Sequence, residues 1–374
     1  MGVAAISLFF FTSSTAFAAD GWASMNGDTT GGAGGTTVTV SNATDFKTYV
    51  ESTDTYIVQV SGTIDLNSIG GRVRIRSNKT IKGVDPPNAT IIGELGFKFG
   101  SSNVIIEGLN ITNPAYAYGD GISVKEDINN VFITKCTVYD CFDGCIDITR
   151  RSDWVTVSWC KFYYTSDTGH NFVHVIGTGD SADLGKLNVT FHHNWWYTLC
   201  KQRMPRVDYA SVHVYNNYYD CPGNDYATGL FNYAEVLIEN NYYDSIDDPY
   251  YIISGNGKIE AYDNVFVNCT GQIHDGDDTV FTPPYSYMLN DANDVPDIVQ
   301  AYAGADNPEP PHWLVTLYGD FDINGVVDEN DLETFADYWL QTSDIDDADY
   351  FDNGRVDGRE FALFAQNWRE PSEP

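Results

Sequence analysis

Seven segments of the chain share one pattern, in which apolar and often β-branched residues alternate with polar ones and then turn. They are VIIEGLNI from Val104, VFITKCTV from Val131, VTVSWCKF from Val155, VTFHHNWW from Val189, VHVYNNYY from Val212, VLIENNYY from Val236 and IEAYDNVF from Ile259. Their starts lie 27, 24, 34, 23, 24 and 23 residues apart. Alternation of period two predicts strands with one face inward. A repeat of this length predicts a solenoid, in which each coil buries its apolar face only against its neighbours. The sixth position of each segment reads Leu109, Cys136, Cys160, Asn194, Asn217, Asn241 and Asn264. Such a column predicts a stacked ladder at an inside bend, where Asn accepts left-handed backbone and hydrogen-bonds the coils above and below. A leucine-rich repeat has a similar period, but its leucine consensus is missing here, and a propeller blade needs a longer period. The expected fold is all-β: a right-handed parallel β-helix, a single-stranded solenoid with loops projecting from its coils.

The pattern stops near residue 306, where DNPEPPH (306–312) has the composition of a linker. The chain carries 20 Lys and Arg against 53 Asp and Glu, a formal net charge of −33. Residues 316–374 hold 16 of the acids and 3 of the bases, a net of −13, which leaves 37 acids and 17 bases, −20, for the rest. Two domains are expected: 20–305, long enough to bury a substantial core, and 316–370, joined by a linker over 306–315. Residues 1–19 combine an apolar run through Phe11 with the small-x-small pattern Ala16-Phe17-Ala18. That is the form of a secretory signal peptide, although its start lacks Lys or Arg. The run is too short to cross a bilayer. The mature protein is therefore expected to be soluble and secreted, with periplasmic location or attachment to the cell surface through the tail as the other readings; a monomer with no membrane partner is expected. Its acidity gives no electrostatic footprint for nucleic acid. Seven cysteines in an exported chain leave at least one thiol free. Cys136 and Cys160, neighbours in the ladder, are either a disulfide or two buried thiols.

The blocks TTGGAGG (29–35), SNKTIKGV (77–84), NVIIEGLNI (103–111), DGCIDITRRSDWVTVSW (143–159), VTFHHNWW (189–196), RMPRV (203–207), VHVYNNYY (212–219) and DVPDIVQAYAGA (294–305) follow in this order. They resemble the successive blocks of polysaccharide lyase family 1, the pectate lyases. The resemblance runs from residue 21 to residue 305. It implies a parallel β-helix, a calcium cofactor and eliminative cleavage of polygalacturonate.

Such a reaction makes its own demands. The C5 proton of a uronate lies beside a carboxylate, and removing it adds charge to a group already anionic. Something must neutralise that carboxylate, a base must reach C5, and the C4 glycosidic oxygen must leave. Calcium bridging protein acids to the uronate meets the first demand, and it wants several Asp or Glu oxygens. Asp143 and Asp147 sit four apart in DGCID, and Asp120 sits in YGDGI. Coils stacked about 4.8 Å apart would let one metal collect all three; solvated turn aspartates are the other reading of the same residues. The resemblance makes these positions calcium ligands, with Asp143 where Glu is frequent. A further ligand, two residues before Asp120, is replaced by Tyr118.

In the family's RxPxxR block the first arginine is the proposed base at C5, and Arg203 occupies that position. Pro205 fixes the local backbone. Arg206, with Lys201 and His170, is expected to meet substrate. A guanidinium is not ordinarily deprotonated in proteins, so a base there needs crowding by Lys201, Arg206 and calcium, and implies an alkaline optimum. On the other reading Arg203 only clamps substrate electrostatically. The block's last Arg is Asp208 here, expected to pair with Arg206 or Lys201, to bind a bridging cation, or to turn away from the groove. The family's substrate-binding Lys aligns with Phe172, for which His170 or Lys161 would substitute. His192, His193 and His213 read as structural. Tyr218, Tyr219, Tyr242 and Tyr243 read as stacked core or coil-face residues, or as a sugar platform.

The tail carries a second pattern. Asp320, Asp322, Asn324, Asp328 and Asp331 occupy positions 1, 3, 5, 9 and 12 of a loop with Gly325 at position 6, which is calcium-loop spacing. Asp349, Asn353, Asp357 and Glu360 repeat it, with Phe351 at position 3 weakening the second site. Aromatic-spaced helices, DLETFADYWL and EFALFAQNW, follow the two loops. The small α-helical pair resembles a dockerin, whose partner is a cohesin; a structural calcium module without that partner is the other reading. For the solenoid, the rivals are a pectin lyase, which needs no acid-held calcium, a hydrolase, and a non-catalytic glycan-binding β-helix. A hydrolase needs paired carboxylates and gives RMPRV no role.

Overall fold

The computed structural model describes residues 18–84, 88–115, 118–310, 321, 327, 329–341, 348 and 355–367. Three sheets run along a solenoid of about nine coils. The first has ten strands, from Thr36–Val40 to Lys258–Tyr262; the second has eight, from Arg72–Ile75 to Tyr250–Ile252; the third has nine, from Thr63–Asp65 to Val265–Val267. Neighbouring strands are parallel, as a coil that always turns the same way requires.

The register of the first sheet joins the starts of the seven repeats. Val104 pairs with Val131, Val131 with Val155, Val155 with Val189, Val189 with Val212, Val212 with Val236 and Val236 with Ile259. Alternation is the cause: Val155, Val157 and their equivalents are fully buried, and a slip of one residue would turn that face outward. The longer spacing between the third and fourth repeats is absorbed by the loops on either side of strand His174–Ile176, not by a broken register. One core extends from Val40 to Ile259. Helix Ala43–Val50 adds Ala43, Phe46 and Val50 to that core, and its N-cap Asn42 accepts from the Asp45 amide at 2.9 Å.

The asparagine ladder forms at the predicted positions. Cys160 N donates to Asn194 Oδ1 at 3.0 Å. Asn194 N and Nδ2 donate to Asn217 Oδ1 at 2.9 and 3.0 Å, and Asn217 N and Nδ2 to Asn241 Oδ1 at 3.0 and 2.9 Å. Asn241 repeats the pair of bonds to Asn264 at 2.9 and 3.0 Å. The left-handed residue, however, lies one position earlier than expected. Lys135, Trp159, His193, Asn216, Asn240 and Asp263 have φ of 57°, 52°, 51°, 52°, 50° and 51°. The corner is made by the predecessor, which turns the ladder residue's amide into the coil. Cys136 and Cys160 continue the column as free thiols, with Cys136 N donating to Cys160 Sγ at 3.4 Å, and all seven cysteines are unpaired.

Inside the third sheet, Phe162, Trp196, Tyr219, Tyr243 and Phe266 stack in coil order with centroid separations of 5.9, 4.5, 4.4 and 5.3 Å. Tyr219 and Tyr243 are fully buried, and Tyr218 is covered by helix Val295–Tyr302, so these rings serve as core and not as a sugar platform. His192, His193 and His213 are buried on the first sheet and tied to Asp20, Asn290 and Glu239, as their structural reading requires. Lys135 donates to the carbonyls of Tyr302, Asn307 and Pro308. Residues 306–308 of the expected linker thus lie against the solenoid. Burial holds the Lys135 ammonium's pKa down, to about 8.

In the tail, helices Glu329–Tyr338 and Gly358–Asn367 share a cluster of Val327, Phe335, Ala348, Val356 and Phe364. Asp331 and Glu360, the last ligands of the two expected loops, are each the third residue of a helix and fully buried. Asp331 accepts from the Phe321 amide at 2.6 Å, and Glu360 from the Asp357 amide at 2.8 Å. Asp320, Asp322, Asn324, Asp328, Asp349 and Asn353 lie outside the described residues, as do residues 1–17 of the expected signal peptide. Among the described residues no helix is long and apolar enough to cross a membrane.

Asn217→Ala tests the ladder. It removes the acceptor of two Asn194 donors and the donor to Phe191 O, Tyr215 O and Asn241 Oδ1. At about 1–3 kcal/mol for each buried group left unpaired, a loss of at least about 3 kcal/mol is expected as a lower urea midpoint. An unchanged midpoint would remove the ladder from the account of stability.

Candidate active site

All the predicted site residues of the solenoid fall on the outer face of the second sheet or in the turns that lead into it. Asp120 precedes strand Ile122–Lys125, Asp143 precedes Ile146–Thr149, His170 precedes His174–Ile176, and Lys201 and Arg203 precede Arg206–Val207. Asp147 pairs with Ser123 on one side and Val175 on the other, and Val175 pairs with Arg206. With coils about 4.8 Å apart, the backbones of Asp147 and Arg206 stand about 10 Å from each other along one column. Gly119 lets the two acidic turns meet, since a Cβ there would lie 2.5 Å from Asp143 Cβ.

Asp120 and Asp147 converge. Asp120 is buried; its Oδ2 accepts from Lys125 Nζ at 2.7 Å, while its Oδ1 has no partner. Asp147 Oδ1 accepts from the Val175 amide at 3.1 Å, and its Oδ2 lies 3.8 Å from Lys125 Nζ. Gly144 leaves space between them: a Cβ there would sit 3.2 Å from Asp147 Oδ1 and 3.6 Å from Asp120 Oδ1. Burial, and then the like charge of Asp120, pushes the Asp147 carboxyl up to about 7. Burial also raises Asp120, and it raises Glu94, to which the charge of Asp120 adds. Burial opposes charge on Lys125, but Asp147 and Asp120 outweigh it and hold the ammonium above its ordinary pKa.

Asp143 stands apart, with its side chain 61% exposed and its Oδ1 3.1 Å from His170 Nε2. Among the described residues, only His274, Asp275 and Asp277 bring three such ligand atoms within 4.8 Å of one another. Asp143 must therefore swing in from His170 to join Asp120 and Asp147 on one ion. An unpartnered carboxylate oxygen, a second carboxylate beside it and a gap left by a glycine suit a hard cation with oxygen ligands.

Arg203 has φ of 66° and a guanidinium lying 4.3 Å over the Phe172 ring. Its Nε is buried without a partner, and its carbonyl accepts from the His174 amide at 2.7 Å. Arg206 lies 4.3 Å over Phe231, with its Nη2 3.4 Å from Asp208 Oδ2. Asp208 is buried, and burial raises its carboxyl; of the expected alternatives, pairing with Arg206 is the one observed. Lys201 instead reaches Asp167 at 3.5 Å and donates to Gly223 O at 2.8 Å. Lys161 lies on the third sheet over Trp195 and Tyr197, away from Phe172, so it does not replace the family's lysine. The sequence reading passed over Lys125, Glu94 and Phe231. Lys125 was within reach of it, because ISVK alternates and puts Lys125 on the same face as Ser123. Phe231 had no local signal.

A family model for pectate lyases matches residues 2–140 and 134–307. The chain is 35% identical over 304 residues to probable pectate lyase A of Aspergillus niger, covering 77% of this chain and 87% of that protein. It is 28% identical over 314 residues to a pectate trisaccharide-lyase of Bacillus licheniformis, covering 79% and 88%. Among solved structures it is similar to a pectate lyase of Bacillus sp. N165 in complex with trigalacturonate, with a TM-score of 0.65 and 29% identity over 76% of this chain and 98% of that one.

Asp147 makes the metal-free protein sensitive to pH. Its folded pKa, about 7, lies above the unfolded value of 3.8, so its contribution to stability is complete below the lower value and is lost as pH rises through the upper one. In excess chelator, Asp147→Asn should raise stability by about 1–3 kcal/mol at pH 8 and change it little near pH 4. Urea unfolding at the two pH values measures this; an equal effect at both would contradict it.

Proposed function

This chain belongs to the pectate lyase family and is a polysaccharide lyase, and we propose that it is a secreted, calcium-dependent enzyme that splits α-1,4-linked polygalacturonate by β-elimination. One observation carries the reading. Buried Asp120, part-buried Asp147 and Arg203, which has no ion pair among the described residues, lie on or just before the same short stretch of sheet. The trigalacturonate bound by the Bacillus sp. N165 relative supports the substrate class.

On this reading Asp120, Asp147 and an inward-turned Asp143 hold calcium. When bound there, calcium would supply the positive charge that offsets the uronate carboxylate and makes the neighbouring C5 proton easier to remove. Arg203 takes that proton. The C5–H electron pair becomes the C4=C5 double bond, the C4–O bond breaks, and the glycosidic oxygen leaves with a proton from water. Stacking on Phe172 fixes the plane of the Arg203 guanidinium, and Arg206 meets a substrate carboxylate with its fork. Lys201 and His170 are the remaining substrate contacts of the proposal, each needing to leave its present partner. A guanidine base works only where its proton is easily lost, so the rate should climb above neutral pH.

For residues 316–370 we propose a dockerin-like pair of calcium loops whose partner is a cohesin. The equivalent placing of Asp331 and Glu360, and the contact of Phe335 with Phe364 at 4.9 Å, support two copies of one loop–helix unit. A structural calcium module makes the same contacts, and binding to a cohesin separates the two.

Arg203→Ala is expected to lower kcat by about 10²–10⁴-fold, with Arg203→Lys well below wild type because an ammonium lacks the planar fork. Initial rates of unsaturated product read this, and wild-type turnover in Arg203→Lys would overturn Arg203 as base. For the tail, a chain ended after Pro310 should keep its turnover, and the segment 316–374 alone should gain helix on adding calcium. A flat circular-dichroism titration would remove the loop assignment.

A further inference from the structure

Four carboxylates crowd one end of the active face. Glu94 and Asp120 are buried, Asp147 is 16% exposed, and Asp143 stands on the rim. One ammonium enters among them. Strand Ile122–Lys125 turns Ile122 and Val124 into the core, so Ser123 and Lys125 share the outer face, and Ser123 pairs with Asp147. The Lys125 side chain then runs back toward Asp120 instead of out into water. Its Nζ lies 2.7 Å from Asp120 Oδ2 and 3.8 Å from Asp147 Oδ2, and the side chain is only 33% exposed. Neither the elimination chemistry nor the resemblance assigns this lysine a part.

Two consequences follow from the placement. With all four carboxylates ionised, one ammonium would leave three net negative charges, where four would stand without it. The ammonium also takes one oxygen of Asp120 and leaves the other, Oδ1, without a partner. A metal arriving at the site finds Asp120 as a single-oxygen ligand, next to a fixed positive charge.

We propose that Lys125 is a resident cation of the calcium site: it offsets part of the charge of Asp120 and Asp147 when no metal is bound, restricts Asp120 to one oxygen for the ion, and so sets how tightly calcium is held. This rests on the calcium reading above. The lysine gives the site a modest affinity and keeps its carboxylates together between turnovers. It also leaves a positive charge beside the substrate carboxylate, whether or not the metal is present.

The test is calorimetry of calcium binding to the full chain in wild type, Lys125→Met and Lys125→Arg, each also carrying Asp147→Asn. The site's share of binding is the part that Asp147→Asn removes, which separates it from the tail loops. Met keeps the aliphatic stem and deletes one charge at about 4 Å, so the site should bind calcium about tenfold more tightly or better. Arg should stay near wild type. In chelator, Lys125→Met should melt below wild type, with the gap closing in saturating calcium. If Asp147→Asn removes equal binding, at equal affinity, from wild type and Lys125→Met, the lysine is idle and the calcium reading stands. If it removes binding only in the Lys125→Met background, the calcium reading fails for the natural protein, and Lys125 replaces the metal outright. If it removes none in either background, both the reading and the inference fall.

Discussion

The hydrogen bonding of each coil to the next, in a register that does not slip, is the constraint on which everything else rests. It stacks Val on Val along the core, and it puts Ser123, Asp147, Val175 and Arg206 in one outward column. No single coil could assemble the site. Asp120, Asp147 and Arg203 come from turns and strands of different coils, and only the register sets their spacing. The asparagine ladder guards one corner of every coil from Asn194 onward. In a solenoid a coil is held only by its neighbours, so a slipped register would have no distant contact to correct it.

Charge is the second theme. On the proposed function, a chain of formal charge −33 receives a polyanion. Exposed acids elsewhere are screened beyond about 8–10 Å, so what matters is the local set of cations and what they touch. Arg203 rests on the ring of Phe172 with no ion pair among the described residues, whereas Arg206 rests on Phe231 and also pairs with Asp208. A ring face holds a guanidinium in place without cancelling its charge, as a carboxylate would. Where a cation is paired, Arg206 with Asp208 and Lys125 with Asp120, the carboxylate is buried.

Much of the fold was legible because a coil is a local object. Period-two alternation named the strands, and the spacing of Val104, Val131 and their successors named the register residue by residue. The φ > 0 residue was misplaced by one because Asn suits both the corner and the ladder, and composition alone does not separate adjacent columns. Within the site, the turns that carry Asp120 and Asp143 and the strand that carries Asp147 were readable from short motifs. The orientation of Asp143 toward His170, and the return of Lys125 to Asp120, were not. Those depend on where a flexible side chain settles once burial and charge are weighed in three dimensions. Phe172 read as a missing lysine; it is the platform under Arg203, which only the fold brings to it.

The central claim is elimination at a uronate whose charge is neutralised at the Asp120–Asp147 face. The most direct measurement follows the ultraviolet absorbance of unsaturated product from de-esterified polygalacturonate, with calcium and with excess chelator, while circular dichroism monitors the fold. The account predicts steady formation of unsaturated ends with calcium and a collapse of the rate in chelator, with the β-sheet signal unchanged. Saturated reducing ends, or a full rate of elimination in chelator, would contradict it.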